Sequence, residues 1–169
     1  MILIFEGHDK AGKSTIAKSF ASIFGHQYFK HGRQANSFYQ KHNREFIFYE
    51  ALLLLDFLSQ VKVNVVIDRH IPSEYVYGVV NKREINFDLI KKIDTKWADL
   101  GAKLVICEKQ YFKEDEFSQE ELLEESKLDE VKKYFRLYSE ITAMKCLVLD
   151  TTSHDTLDHA QQIRKFIES

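Results

Sequence analysis

Residues 7–14, Gly-His-Asp-Lys-Ala-Gly-Lys-Ser, fit the pattern G-x-x-x-x-G-K-[ST] at every fixed position. At ordinary residue usage a random chain of this length matches it under roughly 1% of the time. The chemistry this predicts is the holding of phosphates. Gly7 and Gly12 let the backbone turn so that successive N–H groups point at one anion. A helix starting near Gly12 adds the positive end of its dipole. Lys13 is expected to reach the β- and γ-phosphates of ATP, and the Ser14 hydroxyl to hold the Mg²⁺ that bridges them. Thr15 is placed for the α-phosphate, and His8, Asp9, Lys10 and Ala11 complete the cradle. ATP and Mg²⁺ are therefore the expected cofactors.

A second pair, Asp68-Arg69, ends the β-branched run Val63–Ile67. This segment argues against a GTPase switch and a motor ATPase. A GTPase switch needs D-x-x-G here, and Asp68-Arg69-His70-Ile71 lacks the glycine. Asn81-Lys82-Arg83-Glu84 nearly matches N-K-x-D but follows a helix rather than a strand. A motor ATPase would end this run in paired acids.

The elements that must position these residues follow from hydrophobic patterning. Five short apolar runs read as strands: Met1–Glu6, Gln27–Lys30, Val63–Ile67, Ala102–Cys107 and Lys145–Leu149. Between and after them, helical spacing marks residues 14–24, about 37–60 with a break near Asn43, 72–80, 87–100 and 156–167. The alternation predicts an α/β fold of the P-loop NTPase type, a five-stranded parallel sheet flanked by helices in three layers. Ligands bind such sheets at the carboxyl ends of the strands, where both motifs lie. The 169 residues, 44% hydrophobic and 30% charged, suit one domain over 1–169, with a short acidic lid at about 109–130. Residues 114–130 carry nine acids against one lysine, equally the composition of a solvated helical surface. A net charge of −2 argues against nucleic acid as partner. No apolar run approaches the length of a membrane span, and no leader is visible. Cys107 and Cys146 read as small core residues of a reducing, cytoplasmic protein.

Phe5-Glu6-Gly7-His8-Asp9-Lys10-Ala11-Gly12-Lys13-Ser14-Thr15 resembles the phosphate loop of thymidylate kinases, F-E-G-x-D-x-A-G-K-[ST]-T. Asp68 to Tyr77 resembles that family's D-R-Y-x-x-S-x-x-A-Y segment, and Leu147 to Thr151 resembles its last strand and the loop along the adenine. The resemblance implies transfer of the ATP γ-phosphoryl group to a deoxynucleoside monophosphate, dTMP before others. It implies that Asp9 faces the acceptor sugar and that Lys10 clamps the moving phosphoryl group, with less direction than the arginine common there. Asp68 would orient the magnesium shell, and Arg69 would bridge acceptor and donor phosphates. Ser73 and Tyr77 would line the acceptor pocket, and Thr151 would lie by the adenine.

The chain also departs from the family. Its R-E-P-G segment is absent; Arg33 is the candidate for the acceptor phosphate, with Lys30 and Arg44 behind it. Glu74 stands where the family often reads the thymine edge. Phe46 or Phe48 is the candidate aromatic platform, each equally a core residue. Family members commonly pair as homodimers through helices beside the site, and Ala51–Leu58 suits either that role or the core. The alternatives to a nucleotide acceptor are the 5′-hydroxyl of a deoxynucleoside or polynucleotide, with Glu6 or Asp9 as base, and an ATP-binding regulatory module without transfer.

Overall fold

The computed structural model describes residues 1–30, 46–110 and 127–169. Its strands are β1 (Ile2–Gly7), β2 (Gln27–Lys30), β3 (Val65–Asp68), β4 (Lys103–Glu108) and β5 (Lys145–Asp150). They form one parallel sheet in the order β2-β3-β1-β4-β5. The described helices are α1 (Lys13–Phe24), α2 (Phe46–Gln60), α3 (Ile71–Val80), α4 (Phe87–Asp99), α5 (Leu128–Ile141) and α6 (Thr156–Glu168).

β1 shows why the sheet is covered on both sides. Its side chains alternate, and all are buried. Ile2 and Ile4 enter one core with Ile47 of α2, Val76 of α3, Trp97 of α4 and Phe135 of α5. Leu3 and Phe5 enter another with Ile16 and Phe20 of α1 and Ile163 of α6. The result is the expected three-layer α/β/α arrangement. Among the described residues no helix is long and apolar enough to cross a membrane.

The described strands and the helices that spacing marked lie close to their expected bounds, α5 is a helix that spacing did not mark, and one shift bears on the site. β3 starts at Val65 rather than Val63 and runs on through Asp68. Asn64 is drawn away to the chain start, its side-chain oxygen accepting from the N-terminal ammonium at 2.8 Å. Asp68 joins the ladder, in register with Phe5 of β1 and Lys30 of β2. The acidic run ends inside α5, whose first turn carries Asp129 and Glu130 at its dipole's positive end. Arg33, Arg44, residues 37–45 of the expected second helix with the break near Asn43, and most of the expected acidic lid lie outside the described residues.

The sheet order places β1 between β3 and β4, at the point where the chain switches sides. The loop leaving β1 therefore emerges between two neighbouring strand ends.

Candidate active site

Gly7 sits against β4 so tightly that a Cβ there would lie 2.1 Å from the Cys107 carbonyl oxygen, and its φ is 133°. Gly12, at φ 74°, is the N-cap of α1, and no side chain caps that helix. Its free first turn is the ordinary site for a phosphate. Lys13 is buried and donates to the His8 carbonyl at 2.6 Å, spanning the loop. Burial, then the nearby Arg69 charge, lowers its pKa to about 8. A phosphate anion placed here would satisfy Lys13 better than the carbonyl does.

The loop is braced from behind. Thr151, expected beside the adenine, donates its hydroxyl to the Ala11 carbonyl at 2.8 Å, while its N–H donates to Glu108 at 2.8 Å. The buried His8 ring accepts the Lys109 N–H at its Nε2 at 3.0 Å. Nδ1 must then carry the proton, which it donates to the Asp9 carbonyl at 2.7 Å. Burial lowers the His8 pKa to about 4, so the ring stays neutral. Sequence spacing gives no hint of this brace, because Lys109 lies 101 residues away.

Across from the loop, Arg69 holds a left-handed backbone at φ 68°. A non-glycine residue pays about 1–3 kcal/mol for such a conformation and keeps it only where the surroundings fix it. Here its N–H donates to the Phe5 carbonyl at 2.9 Å. Its guanidinium pairs with Asp9, donates to Ser73 Oγ at 3.3 Å and lies 5.6 Å from the centre of the Tyr77 ring. The Tyr77 hydroxyl donates to the other Asp9 oxygen at 3.3 Å. Asp9, Arg69 and Tyr77 thus form one polar cluster, to which Ser73 adds a hydroxyl. Lys10 shares the left-handed backbone, at φ 62°. Thr15 is exposed on α1, and Phe46 is half-exposed at the start of α2 with its ring 6.2 Å from Tyr49.

Glu6 explains how α3 is aimed. His70, at the N-cap of α3, provides no side-chain cap, and the Glu6 carboxylate reaches over from β1 instead. It accepts the His70 N–H at 2.6 Å, the Ser73 N–H at 3.2 Å and the Ser73 hydroxyl at 2.6 Å. Burial raises its pKa, against the pull of Arg69.

Asp68 is fully buried, and its Oδ2 accepts the Ser14 hydroxyl at 2.5 Å and the Tyr28 hydroxyl at 2.7 Å. Its Oδ1 is buried with no hydrogen-bond partner among the described residues. A serine hydroxyl beside a carboxylate with an unused oxygen fits a hard cation such as Mg²⁺. No group of three or more His, Cys, Asp or Glu able to hold a metal occurs among the described residues. Mg²⁺ would therefore draw the rest of its shell from water and nucleotide phosphates, as it commonly does. Arg136 sits away from this cluster, on α5, where its Nε donates to Glu108 at 2.8 Å and a second nitrogen bonds the other carboxylate oxygen.

The architecture is shared with solved structures. YorR protein from Bacillus subtilis, in complex with phosphorylated GDP, superposes with a TM-score of 0.76 at 21% identity, over 99% of this chain and 96% of that one. Deoxyadenosine kinase from M. mycoides gives 0.58 at 18% identity, over 99% and 98% of the two chains. Thymidylate kinase from Ehrlichia chaffeensis gives 0.58 at 17%, over 98% and 97%. The chain therefore has the fold these proteins share. No family model matches the sequence, and no curated protein matches it.

Proposed function

We propose that this chain is a nucleotide kinase that transfers the γ-phosphoryl group of Mg-ATP to the phosphate of a deoxynucleoside monophosphate, with dTMP the first candidate. The observation that carries the reading is the Asp9–Arg69–Tyr77 cluster beside the Lys13 loop. A loop alone would bind ATP. The strained arginine facing it places a cation where a second anion would arrive.

Lys13 would neutralise the β- and γ-phosphates, and Ser14 and Asp68 would hold Mg²⁺, which screens the developing charge. Arg69 would bridge the two phosphates, with Lys10 and Arg33 adding charge from the loop and the acceptor side. Asp9 and Tyr77 would seat the sugar, and Phe46 is the candidate platform for the base. Positioning and electrostatics then carry most of the rate.

The acceptor class follows from where the carboxylates are. Glu6 is fully buried and accepts three hydrogen bonds, so it cannot reach a substrate hydroxyl from this position. An ionised monophosphate needs no such base. The second reading, a nucleoside or polynucleotide 5′-hydroxyl as acceptor, draws on Asp9, whose side chain keeps 36% of its exposure. The same proposal includes a homodimer, since Phe46, Tyr49, Leu53 and Phe57 are exposed along α2 at i, i+3, i+7 and i+11. It also includes a reducing cytoplasm, where the two free thiols, both pushed up to about 12 by burial, would stay unreactive.

The test is ADP release from Mg-ATP with dTMP, the other deoxynucleoside monophosphates and thymidine offered in turn. Turnover on dTMP supports the full proposal. Turnover only on another monophosphate moves the base preference, and turnover only on thymidine replaces the reading by the hydroxyl one.

A further inference from the structure

The edge strand β2 takes part in the metal-holding pair. Tyr28 donates its hydroxyl to Asp68 Oδ2 at 2.7 Å, the oxygen that also accepts from Ser14. Lys30, two residues on and so on the same face of the strand, has its Nζ 3.9 Å from Asp68 Oδ2 and 3.4 Å from Ser14 Oγ. Three groups crowd one oxygen of a buried carboxylate, while Oδ1 has no partner among the described residues.

Two hydroxyl donors on Oδ2 fix the orientation of the carboxylate and leave Oδ1 as the oxygen available to a cation or its water. Second-layer donors of this kind govern how well a carboxylate serves a metal. Lys30 has the opposite effect. An ammonium beside both a serine hydroxyl and an aspartate supplies the positive charge that Mg²⁺ would supply to the same two groups. The Lys30 side chain is half-exposed, so water can take it up when an ion arrives.

We infer that β2 sets the divalent-cation affinity of the Ser14–Asp68 pair in two opposing ways: Tyr28 positions Asp68 to receive the ion, and the Lys30 ammonium is the resident counter-charge that the ion displaces. This rests on the Mg²⁺ reading of the same pair given above. Tyr28 and Lys30 are positioning residues in this scheme, acting through Asp68.

The experiment titrates Mn²⁺ into the intact chain with ADP present and follows the resonance signal of free Mn²⁺ in the wild type, Tyr28→Phe and Lys30→Met. Tyr28→Phe keeps the ring and loses only the donor; Mn²⁺ binding should weaken about tenfold. Lys30→Met should tighten it a few-fold, the scale of an exposed ion pair. ADP affinity measured in EDTA should stay within twofold in Tyr28→Phe, which a general distortion of the loop would not allow. Weaker binding in Tyr28→Phe with tighter binding in Lys30→Met supports the inference. If either variant leaves Mn²⁺ affinity within twofold of wild type, or either moves it the other way, the inference is overturned while the metal reading stands. A wild type that takes up no Mn²⁺ alongside ADP overturns both.

Discussion

The phosphate loop and the helix facing it hold their functional groups by different means. In the loop, position is set by backbone. Gly7 lies against β4 where no side chain fits, and Thr151 and His8 brace loop carbonyls from behind. At Arg69 and along α3, which follows it, position is set by side chains tied to other side chains: Arg69 to Asp9, Tyr77 to Asp9, Ser73 to Glu6. A backbone cradle accepts any phosphate, because every N–H is alike. A side-chain cluster can be retuned one residue at a time, which would suit the half proposed to recognise an acceptor.

Substitutions can test that division. The largest effect is expected for Lys13→Ala, which removes the ammonium that spans the cradle. Turnover in the ADP-release assay should fall about 10²–10³-fold, the scale of losing one charge-stabilising donor. Arg69→Ala should cost a similar factor in turnover yet lower ATP affinity, read by calorimetry, less than Lys13→Ala does. If ATP affinity falls as far as in Lys13→Ala, the two halves are not separable. Gly7→Ala should show the backbone half as a stability effect. The added Cβ meets a carbonyl oxygen that cannot move aside, at an estimated cost of about 3 kcal/mol. Tm should drop by roughly 6–12 °C.

The pH response sharpens the comparison further. With Lys13 lowered to about 8 in the free protein, its ammonium is intact below that pH and lost above it. A bound phosphate favours the ammonium, so ATP binding takes up a proton above pH 8. ATP affinity should then fall by up to about tenfold per pH unit, with no contribution from this group at lower pH. The smallest effect is expected for Tyr77→Phe, which removes the hydroxyl's long bond to Asp9 and its contact with Arg69 and keeps the ring. KM for the acceptor should rise a few-fold, with kcat little changed.

The same division governs what could be read from sequence. The loop, the five strands and the Asp68-Arg69 pair are local patterns, and each lies within a residue or two of its expected place. The braces are not local. Tyr28 reaches Asp68 across 40 residues and Glu6 reaches Ser73 across 67. Only the strand register brings β2 beside β3 and makes Tyr28 a neighbour of Asp68. Glu6 is a different case: the sequence marks it as a carboxylate near the chemistry, and only burial shows it serving as the cap of α3. Arg136 pairs with Glu108 at the end of β4 across 28 residues, again a contact that sequence spacing does not show.

The bond from Glu6 to the start of α3 also acts as a gauge. It joins the strand that carries the phosphate cradle directly to the helix that carries Tyr77, through the protein interior. The span between the two is then fixed when the chain folds rather than when a ligand arrives. On the proposed reading, an acceptor with one phosphate more would have its sugar displaced from Tyr77 by the length of that group. Sorting by chain length, before any base is read, would follow from one buried carboxylate.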